Sequence, residues 1–185
     1  MAVQEIAGVG YCALLDEVGD WALEVALECA RRHQVQLDIF FFPSSPFTPR
    51  PGRELRGASA SISSREAIEL QRQMRLYYDA RLGDYLDAGF RLCLVDEDPE
   101  LRRCLLYREE YEVLVLPFPD YECTFGTDRL VDFAESLQSP VILVGPGSRE
   151  ELWLNSAARL LADRLLGAGE RWAELKHIEA ITVGV

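Results

Sequence analysis

The sequence predicts an α/β fold: an open parallel sheet of five strands with helices on both faces, followed by a C-terminal extension of helix and strand. Three observations carry this. Residues 8–42 read as strand, helix, strand. Glu112–Leu116 and Val141–Val144 are apolar runs with almost no polar interruption, as in strands covered on both faces. Between these landmarks, strand-like and helix-like segments alternate. Only a long crossover returns the chain to the same end of a sheet, so the strands are parallel and the helices lie on the faces.

Gly8–Leu15 is the first strand, and Asp16 follows it. Ligands of such sheets sit at the carboxyl ends of the strands, which makes Asp16 a candidate ligand-binding residue. Trp21–His33 is the first helix, with Asp20 as N-cap, Glu28 and Arg32 as an i,i+4 pair, and Ala22, Val25, Ala26, Cys29 and Ala30 turned to the sheet. Gln34–Phe42 returns as the second strand. Residues 43–62 are rich in proline and serine and read as a long loop. It carries Arg50, Arg53 and Arg56, either as a solvated segment or folded over the cleft towards phosphate. Ser63 and Glu66 form a capping box that opens a helix running to Ala88. Its apolar face is Leu70, Met74, Tyr77, Tyr78, Leu82, Tyr85 and Leu86. Gly89 ends it and Phe90–Val95 is the third strand. Asp98 as N-cap and Pro99 at the first helical position explain the acidic run Asp96–Glu100. Asp96, Glu97 and Asp16 would suit a hard cation, but capping covers the same residues and no metal site is assigned. Leu101, Cys104 and Leu105 make the inner face of the third helix. Glu112–Leu116, the turn at Gly126 and Thr127, a helix through Leu137 and the strand Val141–Val144 complete the order.

Composition excludes several function classes. A chain of 185 residues with 49% hydrophobic residues has enough apolar surface for a sizeable core. A net charge of −12 opposes nucleic acid and anionic membranes as partners. No apolar stretch approaches the roughly 20 residues that span a bilayer. Met1–Glu5 lacks the basic-then-apolar pattern of a signal peptide, so a cytoplasmic location is expected. The five cysteines show no C-x-x-C spacing; Cys12, Cys29, Cys93 and Cys104 read as small buried groups, and Cys123 falls in a loop. Lys176 is the sole lysine, so no phosphate-loop NTPase motif is present. A phospho-acceptor receiver domain would place a lysine after its last strand, where Val144-Gly-Pro-Gly-Ser148 stands. His33 and His177 are the only histidines, and neither pairs with a serine or cysteine nucleophile in the predicted cleft. No catalytic residue is assigned.

Six features in order now carry a resemblance: the strand ending on Asp16; the alanine-rich helix closing on Arg31 and Arg32; Gln36–Phe42; Glu97-Asp98-Pro99; Glu112–Leu116; and Gly126-Thr127, then a helix, then Ser139-Pro140-Val-Ile-Leu-Val144. The chain resembles the universal stress protein family across residues 4–146. The resemblance implies a Rossmann-like sheet of order 3-2-1-4-5 with a cleft between strands one and four. Nucleotide-binding members follow strand four with a loop that has two early glycines and a later Gly-Ser or Gly-Thr. Gly126-Thr127 matches the later pair, while Phe118, Pro119, Asp120 and Tyr121 replace the early glycines. Proline has no N–H to offer a phosphate, and side chains keep the backbone from close approach. Phe42 matches the adenine-contacting position, with a bulkier ring.

The candidate ligand-binding residues implied are Asp16, Phe42, Gly126 and Thr127. A purely structural reading stays open beside this one, in which Asp16 caps the first helix and Thr127 caps the fourth. The expected function is a ligand-binding or regulatory interaction module of universal-stress-protein type that does not hold ATP and needs no cofactor. One alternative is a member that binds ATP or AMP; another is a nucleotide hydrolase of the same superfamily. Against the hydrolase, Leu15–Gly19 lacks the Ser-Gly-Gly-x-Asp-Ser run of enzymes that split ATP to AMP. A third role, structural or in assembly, would have Phe42, Phe118 and Tyr121 closing the cleft.

Residues 1–146 form the expected domain and 147–185 the extension. Arg149–Leu166 has apolar residues near helical spacing, Gly167 to Gly169 stops it, and Glu170–His177 reads as a short helix. Ile178–Val185 alternates like a strand. The helix is expected to pack on the domain or on a second subunit, and the last strand to add to a sheet across a homodimer or to open a second domain. A protein partner docking through this extension is a further expectation.

Overall fold

The structure is a computed structural model and describes residues 8–41, 64–92, 113–118, 131–132, 134–145, 147–167 and 173–174. Seven strands among them form one sheet: β1 (Gly8–Cys12), β2 (Gln36–Phe41), β3 (Ala88–Leu92), β4 (Val113–Pro117), β5 (Val141–Val144), β6 (Leu152–Leu154) and β7 (Ala173–Glu174). Their order is β3-β2-β1-β4-β5-β6-β7. The first five are parallel in the expected order 3-2-1-4-5. β1 leads outward to β2 and β3, β4 leads the other way to β5, and the order reverses between β1 and β4. That reversal is where such a sheet opens a crevice.

Strand periodicity divides the core into two layers. Val9, Tyr11, Leu37, Ile39, Val113, Val115, Ile142 and Val144 point to one face, which α1 (Glu17–His33) and α2 (Ser64–Leu82) cover. Cys12, Phe40, Leu114, Leu116, Phe118, Val141, Leu143 and Trp153 point to the other. Ala134, in a helical segment over residues 131–132 and 134–136, and Leu137 just after it pack on that second face. Ala22, Ala26 and Ala30 are fully buried, so α1 lies close to the strands, as its alanine spacing predicts. Cys12 and Cys29 are buried and not joined in a disulfide.

Several element ends differ from the expected ones. The first strand stops at Cys12 rather than Leu15, and α1 starts at Glu17 with Asp16, not Asp20, as its N-cap. The Asp16 carboxylate accepts the Gly19 N–H and so sets the helix start one turn earlier. α2 ends at Leu82, not Ala88, because Gly83 turns the chain with φ +61°. Leu86, placed on the helix face by periodicity, is 93% exposed. Gly89 consequently lies inside β3, paired with Asp38. A Cβ there would meet the Asp38 carboxylate at 2.4 Å, which explains a glycine within a strand.

The extension departs most. Residues 152–154, expected in a helix, form β6, antiparallel to β5. The helical spacing of Arg149–Leu166 is real only from Ser156 onward, in α3 (Ser156–Arg159) and α4 (Ala162–Leu166). The edge of β5 offers main-chain partners to Leu152-Trp153-Leu154, and pairing there outweighs local periodicity. β7 lies within the segment expected as a short helix and pairs with β6. The extension therefore adds to the sheet of its own chain at β6 and β7. Its helices pack on the domain: Leu165 is fully buried, and α1 caps the end of α4. Arg32 donates to the Leu165 carbonyl at 3.0 Å, the Cys29 thiol reaches the same oxygen at 3.4 Å, and His33 Nε2 lies 3.1 Å from the Arg164 carbonyl. The last strand, Ile178–Val185, lies outside the described residues.

Candidate cleft at the carboxyl ends of β1 and β4

At the point of reversal, β1 gives way to Ala13-Leu14-Leu15-Asp16 and then to the first turn of α1. The Asp16 side chain accepts the Gly19 N–H at 2.8 Å, and its carbonyl accepts the Asp20 N–H at 3.0 Å. The amino terminus of a helix attracts anions through free N–H groups and its dipole. Here the chain's own carboxylate is the anion in that place, with Glu17 and Asp20 adding charge of the same sign in the first turn. Gly19 permits the arrangement. A Cβ on it would stand 1.8 Å from the Leu14 carbonyl oxygen.

A tyrosine layer fixes this turn from below. The fully buried Tyr11 donates its hydroxyl to the Gly19 carbonyl at 2.8 Å and lies 3.4 Å from both the Leu14 N–H and the Tyr78 hydroxyl. Burial pushes the Tyr11 hydroxyl well above its usual pKa, and the neighbouring Tyr78 adds to the shift. Burial raises Tyr78 likewise. Asp20 is held from α2: Tyr77 donates to it at 2.9 Å, and Arg81 grips it with two bonds of 2.8 and 3.1 Å. Burial, then the bond to Asp20, pushes Tyr77 up to about 12. The Arg81 guanidinium also lies over the Tyr77 ring, 3.5 Å from its centre. Asp20, expected as a cap, is instead the anchor of α2 on α1.

The opposite wall begins with Phe118, which continues β4 and donates its N–H to the Val144 carbonyl at 2.7 Å. Its ring is buried on the second face, among Leu116, Leu143 and Trp153, and so takes no part in closing the crevice on the α1 side. Gly145 adopts φ +99°, and a Cβ there would press on Val18 at 2.9 Å. The exit of β5 thus seats directly against the first turn of α1. Trp153 donates its ring N–H to the Gly145 carbonyl at 3.0 Å and locks that turn from β6.

Of the four predicted site residues, Asp16 lies four residues beyond the end of β1 and caps α1. Phe42, Gly126 and Thr127 lie outside the described residues, as do the loop arginines, the Asp96–Asp98 run, Asp120, Tyr121, Glu122 and Cys123. Among the described residues no group of three metal-ligating side chains occurs, and no helix is long and apolar enough to cross a membrane. A hollow of about 630 Å³ lies on the outer side of α1, bounded by Glu24, Leu27, Glu28, Arg31 and Arg32, away from the strand ends. Arg31 and Arg32 are engaged there by Asp84 and Glu28, each at 2.7 Å.

One structural centre escapes sequence reasoning. Asn155, buried between β6 and α3, accepts the N–H groups of Val141 and Ala158, both at 2.9 Å. Its amide donates to the carbonyls of Ala134 and Ser139, both at 3.0 Å. The available signal was an asparagine directly ahead of Ser156-Ala-Ala-Arg159, a helix-start pattern masked by the assumption of one long helix.

No protein-family model matches the sequence, and no curated protein matches it either. Solved structures do. The universal stress protein from Archaeoglobus fulgidus aligns with a TM-score of 0.51 at 12% identity, over 74% of this chain and 92% of that one. A universal stress protein family member from Burkholderia pseudomallei aligns with a TM-score of 0.51 at 16% identity, over 78% and 99%. The fold is that of the universal stress proteins. Within that frame, the universal stress protein order of β1 to β5 is kept, while β6 and β7 widen the sheet beyond β5.

Proposed function

We propose that this protein is a ligand-binding or regulatory interaction module on a universal stress protein fold, and that it does not hold ATP. The observation that carries the proposal is the Asp16 carboxylate bonded to the Gly19 amide at the helix start facing the crevice. A triphosphate there would have to displace a fixed carboxylate and sit beside Glu17, which is of its own sign. The sequence of the opposite loop supports the same reading, since Phe118, Pro119, Asp120 and Tyr121 replace the glycines whose N–H groups would cradle phosphate. The protein works in the cytoplasm as a homodimer and communicates through what binds it rather than through turnover. Calorimetry with ATP and AMP tests this: no saturable heat is expected at millimolar nucleotide. Binding in the low micromolar range would replace the proposal with a nucleotide-binding universal stress protein, and ATP turnover lost on Asp16→Ala would replace it with a hydrolase.

A further inference from the structure

Tyr77 donates its hydroxyl to a carboxylate, and we propose that it is a redox site: a small oxidising radical takes one electron from the Tyr77 ring while Asp20 takes the phenolic proton. The hydroxyl lies 2.9 Å from Asp20 Oδ1, within the range over which a positioned base accepts a proton. Among the described tyrosines this arrangement is confined to Tyr77. Tyr11 donates to the Gly19 carbonyl, Tyr78 meets the Tyr11 hydroxyl, and Tyr85 donates to the Val35 carbonyl. A backbone carbonyl is a far weaker base than a carboxylate and does not hold the proton of an oxidised phenol. Tyr77 is also half-buried, so a small oxidant reaches it, whereas Tyr11 and Tyr78 are fully buried.

The neighbouring charge decides how the step runs. The Arg81 guanidinium lies over the Tyr77 ring, 3.5 Å from its centre, and binds both Asp20 oxygens at 2.8 and 3.1 Å. A cation in that place opposes positive charge on the ring, so an electron does not leave alone. Nor does the proton leave first, because Tyr77 is pushed up to about 12 and stays protonated at neutral pH. Electron and proton therefore depart together. The Tyr77 O–H bond breaks, an O–H bond forms on Asp20 Oδ1, and one electron passes to the oxidant. What remains is a neutral tyrosyl radical that accepts a hydrogen bond from the new carboxylic acid. A one-electron reductant reverses the step, with Asp20 returning the proton. Behind Tyr77 stand the rings of Tyr78, edge-on at 4.9 Å between centres, and Tyr11, 6.0 Å beyond Tyr78. Neither donates to a carboxylate, so the radical rests at Tyr77. The step uses no crevice group and stands whatever the crevice binds.

Photogenerated ruthenium(III) tris-bipyridine, a one-electron oxidant standing in for the radical, tests the proposal on the full chain at neutral pH. Its decay is followed optically, and the protein radical is trapped by freezing for electron paramagnetic resonance. The expected result is a tyrosyl signal that Tyr77→Phe removes and Tyr85→Phe leaves in place. Asp20→Asn should slow its formation by about a hundredfold, the lower end of what a positioned base contributes, and make the rate climb with pH as hydroxide replaces the lost base. Arg81→Gln should speed it, because the opposing charge leaves the ring. Loss of a merely structural contact would not move these two variants in opposite directions. The wild-type rate should fall in heavy water, a measurement that needs no variant to fold. A tyrosyl signal undiminished in Tyr77→Phe, or absent from the wild type, would overturn the proposal. So would an Asp20→Asn rate equal to that of the wild type, a slower Arg81→Gln, or a wild-type rate that is the same in light and heavy water.

Discussion

Asp16 and Gly19 together decide what the described half of the crevice offers. The carboxylate satisfies the helix start, an N-cap role worth about 0.5–2 kcal/mol, and in doing so fills the position that makes a helix start attractive to anions. Asp16→Ala should cost about 1 kcal/mol in denaturant unfolding and leave the fold intact. Gly19→Ala should cost about 3 kcal/mol, the upper end of overpacking, because the new methyl meets the Leu14 carbonyl. That loss runs against helix propensity, which favours alanine by about 1 kcal/mol. Asn155→Leu should be comparably severe: it leaves the buried Val141 and Ala158 N–H groups without their acceptor, and each such group costs about 1–3 kcal/mol. Chemical denaturation of the three variants checks these values, and a stable Asn155→Leu protein would remove Asn155 from its central place. Asp16 was legible in the sequence because it follows an apolar strand. Gly19 and Asn155 were not, since their importance comes from atoms five and fourteen or more residues away in sequence.

The helices α1 and α2 meet through tyrosines, which ties their docking to alkaline pH. Tyr11, Tyr77 and Tyr78 all have raised pKa values in the folded protein, with Tyr77 at about 12, against about 10 when unfolded. Their contribution to stability is complete below pH 10 and is lost as pH rises from about 10 through the folded values, because the unfolded chain releases the protons first. Unfolding free energies measured at stepped pH should fall above pH 10, with tyrosinate absorbance from Tyr11 and Tyr78 appearing only as the protein unfolds. Tyrosinate appearing in full with the native fold retained would contradict the buried placement. At this scale the sequence identified the strands β1 to β3 and the helices α1 and α2, but misplaced their ends by several residues. The error at residues 152–154 has a physical cause. Leu152 and Leu154 face α1's layer while Trp153 faces the other, an alternation of three residues that helical spacing easily hides.

Across the whole molecule, the parallel sheet was legible because crossovers and apolar strands leave few alternatives, and its order β3-β2-β1-β4-β5 was what the resemblance to the universal stress proteins implied. The widening by β6 and β7 was not, since nothing local marks which edge an extension will join. β6 and α4 now bury Trp153 and Leu165 against the domain. Deleting residues 148–185 should therefore lower stability markedly and promote association through the bared edge of β5, as light scattering would show. A truncated protein of unchanged stability and solution state would contradict the extension's place in the core. The central claim concerns the helix start at the crevice, and amide NMR spectra recorded during titration with ATP and AMP test it most directly. The expected result is that the Gly19 and Asp20 amides, already bonded to Asp16, keep their positions at millimolar nucleotide. Saturable shifts of those amides in the micromolar range would contradict it.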